Sequence, residues 1–368
     1  MSNKDVDGGS KPEGYVLTPG QKFTRIPDPD GCFELYGVFY DEREGRFLRM
    51  PAEAAKAVSE AVEGLNRCTA GGRVRFSTDA DRISVTVTFD GFNVFNHMAG
   101  TGSSGLVLLE EELTPAGGLS EKHAATFIPG HYANVCESCD AHGYSVEKYV
   151  PGGKMRNYIL WLPTYNDIRS LTIGIPENAR TGRGLAYAGK PPIVYYGSSI
   201  TQGGCSTRAD NAYQAYISKW SNTDFINLGF SGSAVGETAA AEYIAGIDAL
   251  AFVMDYDYNA PNAEHLAATH ERFFRIFREK QPFTPVIFVA NPDWDTDASA
   301  PARLEVIRRT YRNAKKRGDR NVWLVEGKAL FGKRDRENCT VDGTHPNDLG
   351  FYRMAEAIYK KLKQAGAV

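Results

Sequence analysis

Beyond residue 188 the sequence settles into an alternation of short apolar runs and longer amphipathic segments, and that alternation leaves few folds open. The runs are IVYYG, DFINLG, AFVMD, PVIFVA and NVWLVE. Between and after them lie NAYQAYISKWSN, NAEHLAATHERFFRIFREK, ARLEVIRRTYRNAKKR and DLGFYRMAEAIYKKLKQ, each with apolar residues at helical spacing. Strands without a polar face must be covered on both sides, so repeated strand–helix units predict a three-layer α/β/α arrangement around a parallel sheet. Sheets of this kind gather chemistry at the carboxyl ends of their strands. That edge is where functional residues are expected.

The preceding residues have a different texture. VRFSTDADRISVTVTFDG alternates apolar and polar residues at period two, and NYILWLPTYNDIRSLTIGIP reads as two strands around a Pro/Asn/Asp turn. SGLVLLEE and HAATFIPG add short strands, and one helix is expected over PAEAAKAVSEAVEGLN. Short strands with frequent turns predict an antiparallel β-sandwich of the jelly-roll kind. The expected organisation is a flexible leader over 1–22, a β-sandwich domain over 23–188 and an α/β domain over 189–368.

Composition excludes several classes of function. Net charge is −3 over 368 residues, with no run of Lys and Arg dense enough to follow a phosphate backbone, so nucleic acid is not an expected partner. No segment approaches the roughly 20 apolar residues of a membrane span. The opening MSNKDVDGGSKPEG lacks the apolar centre of a secretory signal, so a cytoplasmic protein is expected. Six cysteines in a chain this long fit a reducing compartment. Cys136 and Cys139, near His131 and His142, raise a zinc site, but no second pair follows at finger spacing. The other reading is two unpaired thiols in a surface loop.

Four loops at the expected strand ends carry chemistry-bearing residues. IVYYG runs into SSITQGG, placing Ser198 and Ser199 at the tip of the first strand, where they form either a tight turn or a nucleophile. A serine hydroxyl needs a base to take its proton, and the base needs a third group to orient it. DGTHPNDLG sets Asp342 three residues before His345 ahead of the final helix, a spacing at which the carboxylate can hold the imidazole. The alternative is a capping loop built on Asn347 or Asp348. An oxyanion also needs donors. NLGFSGSA offers the N–H of Gly232 after the second strand, and VMDYDYNAP the carboxamide of Asn259 after the third, each readable also as turn or cap chemistry.

GSSIT, NLGFSG, DYDYN and DGTH match, in order and in strand context, the four blocks of the SGNH hydrolases, the GDSL-type esterase and lipase superfamily, and residues 190–368 resemble that family. The resemblance implies Ser199 as nucleophile and His345 as base, oriented by Asp342, with Ser199, Gly232 and Asn259 forming the oxyanion hole. Two blocks depart from the pattern. Ser198 stands where an aspartate is usual, and the third block keeps only its asparagine. ELYGVFYDE and RFLRMP, ahead of the strands, resemble the β-domain fused to one branch of the family, itself similar to carbohydrate-binding jelly rolls.

The reaction these parts imply is deacylation of an ester through an acyl-enzyme, with no cofactor or metal. No long apolar lid segment accompanies the site, which points to a small acyl group, acetyl on a sugar being the best fit, with a carbohydrate or other small-molecule ester as partner. Arg208 either reaches substrate or ties down its own loop. Tyr256, Tyr258 and Trp294 sit at strand ends, where they stack on a sugar ring or pack internally. An acyltransferase using the same serine and a carbohydrate-binding protein without activity remain open alternatives. Oligomeric state is not legible.

Overall fold

The five apolar runs form a five-stranded parallel sheet in a computed structural model of the chain. The structure describes residues 20–29, 31–128, 139–140 and 142–368. In space the parallel strands run Phe225–Gly229, Ile193–Gly197, Ala251–Asp255, Val286–Val289 and Val322–Val325. The first strand of the unit in sequence therefore lies second in the sheet, between the strands that follow it. The order reverses beside it, and in open α/β sheets such a reversal is where ligands bind, at the carboxyl ends of the strands.

Period-two geometry divides this sheet between two cores. Val194, Tyr196, Phe252, Met254 and Phe288 face the helices Thr238–Ala245, Ala263–Lys280 and Ala300–Lys316. Ile193, Tyr195, Val253 and Ile287 face Tyr213–Ser221 and Asp348–Gln364. Thr238–Ala245 had no counterpart in the sequence reading. Its eight residues give barely two turns of periodicity, and Gly236 and Gly246 bracket it.

The first half contributes two antiparallel sheets. One contains Gln21–Ile26, Ser170–Pro176, Arg82–Thr88, Gly143–Tyr149 and Cys139–Asp140. The other contains Thr181–Gly182, Arg73–Thr78, Arg156–Trp161, Leu106–Leu113 and Leu119–Phe127, with Glu34–Tyr36 beside Arg73–Thr78. Val85, Val87 and Ile173 of the first meet Phe76, Leu108, Tyr158 and Leu160 of the second in one core. The alternate residues of the second sheet, Val107, Leu109, Ile159 and Trp161, point the other way and join the core beneath the final helix. A sheet buried on both faces explains why GLVLL is an unbroken apolar run rather than an alternating one.

Gln21 and Lys22, placed in the expected leader, pair with Pro176 and Ile175 as part of a strand. Residues 1–19 lie outside the described residues. The single helix expected over 51–66 is two, Ala52–Val58 and Glu60–Asn66. Ser59 is extended (φ −173°, ψ 161°) and its side chain accepts the N–H of Val62, so a good N-cap inside the run starts a new helix. Met50, Ala55 and Val62 pack into the core around Thr238–Ala245 rather than into the sandwich. His131 and Cys136 of the possible zinc motif lie outside the described residues, as does the side chain of Cys139.

Candidate active site

Gly197 closes the first parallel strand where a Cβ would stand 2.3 Å from the carbonyl oxygen of Asp255, so a side chain there would push the neighbouring strands apart. The next residue, Ser198, is the N-cap of the short helix Ser199–Gln202, and its Oγ accepts the N–H of Ile200 at 3.2 Å. Serine and aspartate are both strong N-caps, which gives the Gly-Ser-Ser departure a physical account: the capping oxygen is retained. Ser199 occupies the first helical position, and the first N–H groups of a helix have no intrahelical acceptor. Gly203, in the left-handed region (φ 108°), ends the turn.

The loop before the final helix brings the second group. The His345 N–H donates to Asp342 Oδ1 at 2.7 Å and the Thr344 N–H to the same atom at 3.0 Å. Asp342 Oδ2 lies 2.8 Å from His345 Nδ1, and His345 Nε2 lies 3.0 Å from Ser199 Oγ. A neutral imidazole donating Nδ1–H to the carboxylate presents Nε2 as an acceptor toward the hydroxyl. Burial pushes the Asp342 carboxyl up, but the hydrogen bonds from His345 and Thr344 outweigh it and hold the group below its ordinary range. Asn347 does cap the final helix, accepting from the N–H groups of Leu349 and Gly350. The capping reading and the pairing of Asp342 with His345 therefore both describe this loop.

Two further loops meet at this edge. Gly232 has φ 66°, and an added Cβ would meet nothing within 4 Å, so the left-handed backbone rather than crowding favours glycine there. The N–H of the adjacent Ser231 donates to Gln202 Oε1 at 3.0 Å, while Gln202 Nε2 donates to the Thr164 carbonyl at 3.2 Å. Asn259 Nδ2 donates to the Phe230 carbonyl at 2.9 Å, joining the third-strand loop to the second-strand loop. Its second amide hydrogen is left for another acceptor.

Residues 190–363 match the family model of GDSL-like lipases and acylhydrolases, and residues 27–181 match that of the N-terminus of SGNH-hydrolase-type esterases. The chain belongs to the SGNH hydrolases. A candidate GDSL-like lipase from Bacteroides ovatus ATCC 8483 is 27% identical with a TM-score of 0.78, covering 94% of this chain and 98% of the other. The salicylyl-acyltransferase SsfX3 of a tetracycline biosynthetic pathway is 18% identical with a TM-score of 0.75, covering 95% and 99%. The acetyl xylan esterase Est2A of Butyrivibrio proteoclasticus shares the fold at 13% identity and a TM-score of 0.56, covering 94% and 99%. No curated protein matches the chain in sequence.

Around this SGNH site the other expected residues take different places. Tyr256 is a correction. Its ring is 1% exposed, packed between Tyr196, His270 and Phe273, with its hydroxyl on Thr269, so it cannot stack on a sugar. Tyr256 lies one residue past the strand Ala251–Asp255, and its side chain packs into the helical layer. Tyr258 stays near the site and donates to Thr344 Oγ1 at 2.9 Å, next to the histidine. Trp294 is 42% exposed, with the Arg336 guanidinium 5.7 Å from its ring. Arg208 pairs with Asp210 at 2.8 Å and so ties down its own loop.

The structure also brings in residues that sequence reasoning missed. Tyr165, in the segment read as a turn between strands, donates its hydroxyl to the Ser199 carbonyl at 3.2 Å. Phe95 stacks edge-on against Tyr165, and His97 lies with its ring centroid 5.4 Å from that of His345. Both reach the SGNH edge from loops of the antiparallel half, and no local pattern marks such a contact. Arg49, in the RFLRMP stretch, is fully buried and donates to the carbonyls of Asn227, Gly229 and Leu65, anchoring the second-strand end to the first half. A surface depression of about 1040 Å³ beside Phe283, Asp319 and Asn321 lies at the opposite, amino edge of the parallel sheet and includes none of these groups. Among the described residues no helix is long and apolar enough to cross a membrane.

Proposed function

We propose that this SGNH hydrolase is a serine O-deacylase that removes a small acyl group, acetyl fitting best, from a carbohydrate or another small-molecule ester. The observation that carries the reading is the continuous chain from Ser199 Oγ through His345 to Asp342, at 3.0 and 2.8 Å. His345 Nε2 takes the proton of Ser199 as Oγ attacks the ester carbonyl. Charge develops on the carbonyl oxygen, toward which the N–H groups of Ser199 and Gly232 and the free amide hydrogen of Asn259 are assigned as donors. The imidazolium, held by Asp342, then protonates the leaving alcohol. Water takes the alcohol's place, gives a proton to His345 and releases the acid.

A carbohydrate ester as substrate is supported by the shared fold of this chain and carbohydrate esterases such as the acetyl xylan esterase, together with the antiparallel half that walls the site. The test is hydrolysis of p-nitrophenyl acetate, butyrate and octanoate, followed by acetylated sugars, with wild type and Ser199→Ala. Wild type is expected to favour the short esters, and Ser199→Ala to lose on the order of 10⁶-fold in kcat. Equal cleavage by both proteins would remove Ser199 from the mechanism. Transfer to an added alcohol in preference to water would make the enzyme an acyltransferase.

A further inference from the structure

His345 has a second set of neighbours besides Ser199 and Asp342. His97, exposed on the loop from the antiparallel half, and Cys205, 3% exposed and six residues beyond the nucleophile, each offer a donor atom there. One ligand atom from each of His97, Cys205 and His345 lies within 4.8 Å of the others. From this cluster we infer a divalent-metal site, selective for zinc and its thiophilic relatives, that closes over the catalytic histidine and switches the enzyme off.

The donor set decides the class of ion. Two imidazoles and a thiolate suit zinc, cobalt and cadmium, while magnesium and calcium require oxygen ligands. In a tetrahedral zinc site with bonds of about 2.0–2.3 Å, donor atoms stand about 3.4–3.6 Å apart. The cluster therefore needs to contract by about an ångström. The side chain positioned to supply that movement is His97, the exposed member. Cys205 and His345 are held by the turn after Ser199 and by the Asp342 hydrogen bonds.

The same feature that prepares His345 as a base prepares it as a ligand. With Nδ1 committed to Asp342, only Nε2 is free for a metal, and a carboxylate behind a ligating histidine fixes its ring and raises its basicity. On binding, the Nε2 lone pair that accepts the Ser199 proton is donated to the metal instead. The Cys205 thiol releases its proton to solvent as the sulfur–metal bond forms. No electrons change hands, and removing the metal restores the base. Since Cys205 and His345 come from one half and His97 from the other, the site exists only where the two halves are docked.

The inhibition rests on the deacylase reading, but the metal site does not, and the experiment separates them. Zn²⁺ is expected to inhibit p-nitrophenyl acetate hydrolysis reversibly, with activity restored by EDTA and Mg²⁺ without effect. Losing a second-shell partner already costs about 10–100-fold in metal affinity. Loss of a ligand in Cys205→Ser or His97→Ala should therefore raise the half-inhibiting Zn²⁺ concentration at least about tenfold, each measured against the variant's own basal rate. Independently, Co²⁺ added to Ser199→Ala should give a thiolate-to-cobalt charge-transfer band that disappears with Cys205→Ser. Unchanged Zn²⁺ sensitivity in both variants, or a cobalt spectrum without the thiolate band, would overturn the site. If wild type has no esterase activity, the deacylase reading fails and the cobalt spectrum still decides the metal site. His97→Ala, at an exposed position, keeps the test decisive should the buried Cys205→Ser fail to fold.

Discussion

Ile193–Gly197 and Arg156–Trp161 are both strands buried on two faces, but the first ends in candidate chemistry and the second in structure. In the parallel sheet every carboxyl end lies on one edge, so loops far apart in sequence are delivered to one place. Ser199 and His345 meet across 146 residues. In an antiparallel sheet neighbouring ends alternate, so loops are divided between the two edges. Among the described residues, the loops around His97 and Tyr165 reach the site, and they do so as walls. The comparison teaches that strand direction, more than residue content, decides which half can concentrate functional groups.

Substitutions on the two sides should therefore fail in different ways, and that contrast can be broken experimentally. Asp342→Asn should lower kcat by about 10⁴-fold through the wrong imidazole tautomer while leaving the thermal midpoint nearly unchanged. Near-normal turnover would show that another group orients His345. On the antiparallel side, Arg75 and Glu111 form a 2.8 Å ion pair with side chains 1% and 0% exposed. Removing one partner of such a pair leaves the other buried and uncompensated, so Arg75→Met should cost about 3–5 kcal/mol in denaturant unfolding. The kcat of the folded fraction should hold. A parallel loss of kcat would mean that this sheet shapes the chemistry directly.

Asn259→Ala sharpens the comparison within the parallel edge, with an expected loss of about 10²–10³-fold, or about 2.7–4 kcal/mol of transition-state stabilisation. Because its Nδ2 also holds the Phe230 carbonyl, KM should be followed alongside kcat: a rise in KM alone would make Asn259 a brace for the loop rather than an oxyanion donor. The smallest effect is expected at Asp293. Burial raises its carboxyl to about 7 against the attraction of Arg336, with Asp297, Asp295 and Asp342 adding repulsion. A carboxyl raised in the folded state binds more protons there, so stability is lost as pH climbs from the unfolded value near 4 to about 7. Asp293→Asn should match wild type at pH 4 and exceed it by about 1 kcal/mol at pH 8, after allowing for solvent screening. A constant difference across that range would assign the effect to packing.

Much of the candidate site was legible because its parts are local. Asp342 and His345 are three residues apart, and Ser198 and Ser199 follow a strand whose direction the repeated strand–helix units had already implied. Tyr256 misled for the opposite reason. It lies beyond the end of Ala251–Asp255, and nothing local distinguishes a ring that turns toward the edge from one that turns beneath it. The break at Ser59 was likewise open to two readings, since a serine in an alanine-rich run either continues a helix or caps the next one.

What the sequence determined by itself is what periodicity and spacing encode: two architectures, their order along the chain, and the strand tips at which chemistry would gather. Those signals survive in one dimension because hydrogen bonding within helices and strands repeats every few residues. What only the tertiary structure decided is what crosses between the halves. Tyr165 lies on the Ser199 carbonyl, Arg49 on the strand ends, and His97 beside His345 and Cys205. Such contacts depend on how one sheet docks against another. Docking is set by the summed fit of many buried side chains, of which no single stretch of sequence carries a readable part.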